Sequence, residues 1–180
     1  MTGVSPELLA TFAEVGSDLY RLGLVSSHGG NLSVRDGTDV WITGTGTMLG
    51  RLRERHISLV KPDGSFEGPP PSSDTALHLA VYALGGTGAV VHAHPHHAIA
   101  MTFDAERFVP LDFEGQHFLV DVPVIAQGPN QMAQIAAALQ TRLVVVLQGH
   151  GAYARGGNLW EALHWITALE ESAHIAWLRK

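Results

Sequence analysis

Two apolar runs limit what this chain can build. Ala89-Val90-Val91 leads straight into His92-Ala93-His94-Pro95, and Leu143–Leu147 leads into Gly149-His150-Gly151. Both runs are too short for a buried helix and too apolar for a loop, so each reads as a buried strand. Between and around them lie helical patterns. Pro6–Leu22 carries Leu8, Phe12, Val15, Leu19 and Leu22 at helical spacing, with Ser5 as N-cap and Gly23 as stop. Further helices are expected from Ser72-Ser73-Asp74 to Leu84, from Pro95 to Met101, over Asn130–Gln140, and over Leu159–Leu178 behind an Asn158 cap. Other strands are expected at Leu32–Arg35, Asp39–Thr43, Ile57–Lys61 and Val120–Ile125, the first two joined at Asp36-Gly37. The class is therefore α/β, and the short hairpin-like strands point to a mainly antiparallel sheet between helical layers. No repeat or linker divides residues 1–180, which read as one domain.

Composition narrows the function. The formal net charge is −6, and Lys61 and Lys180 are the only lysines. Neither a nucleic-acid-binding face nor a polybasic membrane patch is expected from that. No cysteine is present, so thiolate metal sites and disulfides are excluded. Met1–Leu9 has neither a basic nor an apolar leader pattern, and no stretch of 18 apolar residues occurs, so the expected location is cytoplasmic. Against this background the chain has 11 histidines, as many as its lysines and arginines together.

Side chains alternate across a strand, so His92 and His94 project to one face with their roots about 7 Å apart. His150 follows the other apolar strand, and its glycine neighbours leave room beside the ring. Three neutral imidazoles with a fourth position open is the arrangement of catalytic zinc. Manganese, cobalt and iron also suit such ligands. His96 and His97 follow Pro95 and are expected on the next helix, as supporting or surface residues. His164 and His174 fall on the last helix as surface or interface residues.

Ser72-Ser73-Asp74 stands where a helix begins, and its hydroxyls and backbone N–H groups suit either an anion or plain N-capping. Gly30-Asn31 and Thr45-Gly46 are loops of similar chemistry. Three such loops feeding one pocket would neutralise a phosphate without lysine. Asp74 and His78 lie four apart on one helical face, so Asp74 reads either as a proton acceptor supported by His78 or as a simple cap.

Taken in order, Gly30-Asn31-Leu32-Ser33, Thr43-Gly44-Thr45-Gly46, Pro71-Ser72-Ser73-Asp74, His92-Ala93-His94 and Gly149-His150-Gly151 resemble the class II aldolase/adducin head family. The likeness covers almost the whole chain. The family includes L-fuculose-1-phosphate aldolases and L-ribulose-5-phosphate 4-epimerases. The resemblance implies a three-layer α/β/α fold around a mainly antiparallel sheet. It implies Zn2+ on His92, His94 and His150, phosphate on Asn31, Thr45, Gly46, Ser72 and Ser73, and an acid/base carboxylate at Asp74. It also implies a homotetramer with active sites between subunits. The activity it implies is a lyase that breaks the C3–C4 bond of a ketose phosphate through a metal-stabilised enediolate.

Some positions depart from the aldolase pattern. Aldolases carry glutamate after the two serines, and Asp74 with His78 resembles the epimerase version. An aspartate used by the epimerase falls near Gln116, and a tyrosine used by the aldolases falls near Phe113; Glu114 or His117 are the candidates to substitute. Relatives draw a catalytic tyrosine from a C-terminal tail, whereas this sequence stops at Lys180, directly after the last helix. A 4-epimerase is therefore the alternative within enzymes. A non-catalytic adducin-like assembly module and a metal-binding or sensing protein are the alternatives outside them.

Overall fold

Alternation along the strands decides which residues meet which helical layer. The computed structural model describes residues 3–180. Its strands are β1 (Asn31–Asp36), β2 (Asp39–Thr43), β3 (Ile57–Val60), β4 (Phe66–Glu67), β5 (Ala89–Ala93), β6 (Arg107–Phe108), β7 (Val122–Ile125), β8 (Val144–Leu147) and β9 (Gly151–Gly156). They form one sheet in the order β4-β3-β2-β1-β5-β9-β8-β7-β6. Every pairing is antiparallel except that of β7 with β8. The helices are α1 (Pro6–Arg21), α2 (Thr75–Ala83), α3 (His96–Met101), α4 (Phe113–Phe118), α5 (Gln131–Thr141) and α6 (Leu159–Leu178).

The expected three layers are present. On one face Phe12, Val15 and Leu19 of α1 and Ile166, Leu169 and Ala173 of α6 pack on Leu32, Val91, Val146 and Ala154. On the other, Leu77, Val81 and Tyr82 of α2 and Ile135 and Leu139 of α5 pack on Val40, Ile42, Val90, Val145 and Tyr153. Burying both faces explains why β5 and β8 read as continuous apolar runs. Among the described residues, no helix is long and apolar enough to cross a membrane.

The caps follow the sequence. Ser5 Oγ accepts from Leu8 N at 3.2 Å, and Asn158 Oδ1 accepts from Glu161 N at 3.0 Å. The Glu161 carboxylate reaches Gly157 N at 2.7 Å, one residue short of a full capping box. Elsewhere tertiary contacts override local signals. Strand β9 (Gly-Ala-Tyr-Ala-Arg-Gly) has no β-branched residue and was not expected; ladders to β5 and β8 on either side hold it. The short β4, β6 and α4 were not expected either. Strand β7 starts two residues later than expected, because Val120 has a left-handed φ of 61°. Helix α2 starts at Thr75, leaving Ser72-Ser73-Asp74 as a turn with Asp74 in the cap position.

Candidate metal centre and anion pocket

The site grows from one row of the sheet. Asn31 of β1 pairs with His92 of β5, and His92 pairs with Tyr153 of β9. Paired residues share a face, so all three point toward the layer that holds α2, whose first turn carries Asp74. His92 Nδ1 lies 3.0 Å from the Ala152 carbonyl oxygen, which can only accept, so Nδ1 carries the proton and Nε2 a free lone pair. His94 lies just past the end of β5, where its N–H donates to Leu24 O at 2.7 Å. His150 sits in the turn between β8 and β9, next to Gly149 with its φ of +67°.

The three rings converge as expected from the sequence. His94 Nε2 and His150 Nε2 each lie 3.2 Å from His92 Nε2. One ligand atom from each lies within 4.8 Å of the other two. Nitrogens held about 2.0–2.1 Å from a tetrahedral zinc sit about 3.3 Å from one another, so the donor set fits a divalent cation. Burial pushes the His92 ring down to about 3 against the pull of the Asp74 charge. His94 is also lowered, by burial and then by His150. Neutral rings are the form that binds metal. The backbone leaves little slack around them: a Cβ on Gly29 would lie 2.8 Å from His94 Cε1, and one on Gly151 would lie 2.9 Å from His92 Cε1.

Asp74 does not cap α2 with its side chain. Its Oδ2 accepts from Asn31 Nδ2 at 2.9 Å and from the Tyr153 hydroxyl at 3.1 Å, and lies 3.9 Å from His92 Nε2. Burial raises the Asp74 carboxyl, but the His92 ring, the Asn31 amide, His78 and the Tyr153 hydroxyl together bring it below the usual carboxylate range. The side chain keeps 26% of its surface exposed, enough to meet a molecule in the pocket. Of the two readings drawn from the sequence, the placement matches the reactive carboxylate.

Every site residue singled out in the sequence lines one cavity of ≈ 220 Å³: Gly30, Asn31, Thr45, Gly46, Ser72, Ser73, Asp74, His92, His94 and His150. The lining contains no lysine or arginine. Two hydrogen bonds shape it, Ser72 N to Thr43 O at 3.1 Å and Thr45 N to Pro70 O at 2.9 Å, which join the anion loops to each other.

Other expectations find a different place. His78 makes no side-chain bond to Asp74; its Nδ1 lies 2.6 Å from Ser33 Oγ, which is also 2.6 Å from the Tyr82 hydroxyl. The two side chains do share a helical face, but β1 offers Asn31 to one and Ser33 to the other. Phe113, Glu114, Gln116 and His117 lie on α4, which packs on α6 and contributes nothing to this cavity wall. His97 is on α3 and points away, with Nδ1 2.7 Å from Glu170 Oε1 and its ring stacked 4.0 Å from that of His174. Two residues escaped the sequence reading. His28 lines the cavity beside the anion loops. Tyr153 became visible only once β9 placed it opposite His92.

The geometry agrees with what the chain resembles. The model of the Class II Aldolase and Adducin N-terminal domain matches residues 10–177. An L-fuculose phosphate aldolase of Methanocaldococcus jannaschii is 29% identical over 171 residues, covering 93% of this chain and 94% of its own. An L-fuculose phosphate aldolase of Escherichia coli is 33% identical over 154 residues, covering 81% of this chain and 71% of its own. The crystal structure of L-fuculose-1-phosphate aldolase from Thermus thermophilus superimposes with a TM-score of 0.89 at 38% identity, over 97% of this chain and 95% of that one. The chain belongs to the class II aldolase and adducin N-terminal domain family.

Proposed function

We propose that this chain is a zinc-dependent aldehyde-lyase that cleaves the C3–C4 bond of a ketose phosphate. One observation carries the reading: a carboxylate, Asp74, held 3.9 Å from a metal-competent imidazole inside a cavity whose other polar walls are hydroxyls and backbone amides. The relatives named as L-fuculose phosphate aldolases support the substrate class. His92, His94 and His150 would hold the cation, and their neutral nitrogens suit zinc better than magnesium or calcium. A cation bound there supplies Lewis acidity to the carbonyl end of the substrate and balances the charge that builds up on cleavage.

The remaining work belongs to the chain. Gly30, Asn31, Thr45, Gly46, Ser72 and Ser73 orient the phosphate through hydroxyl and amide donors, which fixes the sugar carbons relative to Asp74. Asp74 accepts the proton of the C4 hydroxyl as the C3–C4 electron pair withdraws toward the carbonyl at C2. C4 leaves as an aldehyde, and the proton returns to C3 of the remaining ketose fragment. These steps balance without any oxidant or further reactant.

A 4-epimerase would share each of these residues, and the Asp74 carboxylate in a Ser-Ser-Asp turn favours it as second reading. It differs only in re-forming the bond after the aldehyde turns over. The assembly we propose is a homotetramer with cavities completed between protomers. Supporting it, Phe113 on α4 is 83% exposed, and Phe103, whose ring packs beside Gly149 in the His150 turn, is 56% exposed.

The deciding experiment incubates zinc-loaded protein with ketose 1- and 5-phosphates and follows the products by NMR. Aldehyde release supports the lyase, and inversion at C4 without release supports the epimerase. A chain that takes up no metal by elemental analysis and converts no sugar would instead be an assembly module. Sedimentation equilibrium tests the tetramer.

A further inference from the structure

Tyr153 stands outside every motif that defines the pocket, yet it touches both groups on which the proposed chemistry rests. Its ring lies 4.1 Å from the His92 ring with the planes 11° apart. Its hydroxyl donates to Asp74 Oδ2 at 3.1 Å. The residue is only 3% exposed and forms no part of the cavity wall, so it does not meet the substrate.

A carboxylate beside a three-imidazole cation site has an obvious competing fate, which is to become the fourth ligand. That would remove the proton acceptor and close the open position in one move. A fourth ligand oxygen would sit about 3.3 Å from the histidine nitrogens, by the same tetrahedral geometry. Asp74 Oδ2 is held farther away, at 3.9 Å from His92 Nε2. Two donors from the sheet hold it there, Asn31 Nδ2 on one side and the Tyr153 hydroxyl on the other. Tyr153 also sets the plane of His92, because its ring stacks on the imidazole. The register of β9 against β5 thus sets one distance, that between metal ligand and carboxylate.

We propose that Tyr153 is a positioning residue that keeps Asp74 off the metal and free to accept the substrate proton, while its ring steadies His92. This rests on the roles given above to Asp74 and the three histidines. Tyr153→Phe keeps the ring and removes only the hydroxyl. Its kcat is expected to fall on the order of tenfold, the scale of one hydrogen bond to a charged group, with KM unchanged. Zinc affinity, measured by competition with a chromogenic chelator, is expected to hold or tighten as Asp74 gains access to the ion. The visible spectrum of the cobalt-loaded variant should shift from that of the wild type, because added carboxylate ligation changes the coordination. Tyr153→Leu removes the stack as well and is expected to weaken zinc binding on the order of tenfold, the scale seen for lost partners of ligands. Melting curves of both variants establish that they fold.

Wild-type kcat in Tyr153→Phe, or a loss of zinc as large as in Tyr153→Leu, overturns the proposal. So does an equal rise of KM, which would mean a general disturbance of the pocket. Wild-type protein that binds zinc but cleaves no ketose phosphate would overturn the proposed activity instead. The cobalt spectra and zinc affinities would then still decide whether Tyr153 keeps Asp74 from the ion.

Discussion

Asp74 Oδ2 and His92 Nε2 lie 3.9 Å apart, one from the first turn of a helix and the other from the middle layer of the sheet. That closeness is what separates this pocket from a plain metal site. An imidazole cluster alone binds an ion; a fixed carboxylate beside it gives the ion's substrate a place to leave its proton.

Replacing that carboxylate should therefore separate binding from turnover. Asp74→Asn preserves size and can still accept from Asn31. Zinc affinity is expected to stay within a few-fold of wild type, and kcat to fall by about 10² to 10⁴, the range for loss of a general acid–base group. Steady-state kinetics alongside a chelator titration reads both. Full activity in the variant would remove Asp74 from the mechanism.

His92→Ala tests the other partner. His92 is the ligand whose Nε2 faces both His94 and His150, so its loss leaves two nitrogens with no common neighbour. Metal content by elemental analysis should drop to background, and cleavage with it. Substantial activity in the metal-free variant would sink the metal-based mechanism.

The metal centre also depends on a residue with no side chain. A Cβ on Gly151 would lie 2.5 Å from Ala93 O, 2.8 Å from His94 Cδ2 and 2.9 Å from His92 Cε1. A methyl group cannot occupy that space unless two ligand rings and a strand move. Gly151→Ala should weaken zinc binding by about 10- to 100-fold, comparable to loss of a supporting partner of the ligands. An affinity equal to wild type would show that the turn can yield without disturbing the rings.

Much of this site was legible because its chemistry lies in contiguous motifs. His92-Ala93-His94 follows from strand alternation, and the anion loops declare themselves by small polar residues between elements. Each such residue needs only its own neighbours to be recognised. Tyr153 needed more: it matters only through a ladder to β5, and the Gly-Ala-Tyr-Ala-Arg-Gly stretch has no local strand signal to suggest one. The assignment of His78 as support for Asp74 failed for a related reason. Spacing on a helix gives a shared face, but the partner strand decides who bonds to whom, and Ser33 on β1 takes His78. Helix α4 was missed because six residues around a glycine carry too little periodicity.

His78 has a consequence for stability against pH. It is fully buried, and burial lowers its pKa from the ordinary 6.5 to about 4, against the pull of the Asp74 charge. The folded state thus keeps the ring neutral where the unfolded chain would protonate it. Above pH 6.5 neither state binds this proton, so His78 does not tilt the balance. Between 6.5 and about 4 the unfolded state binds it alone, and stability falls with falling pH. Below about 4 both states bind it and the loss from this group stops. One proton corresponds to a slope of about 1.4 kcal/mol per pH unit, so His78 accounts for about 3 kcal/mol across the window. Burial depresses His92 as well, so the metal-free wild type should show a slope steeper than one proton. His78→Gln removes one of the two titrating groups and keeps a polar partner for Ser33. Urea unfolding of the two metal-free proteins between pH 7 and 4 should show the variant less stable at pH 7 but losing stability more slowly as pH falls. Parallel curves would mean that His78 is protonated in the folded protein, and that its burial does not exclude the charge.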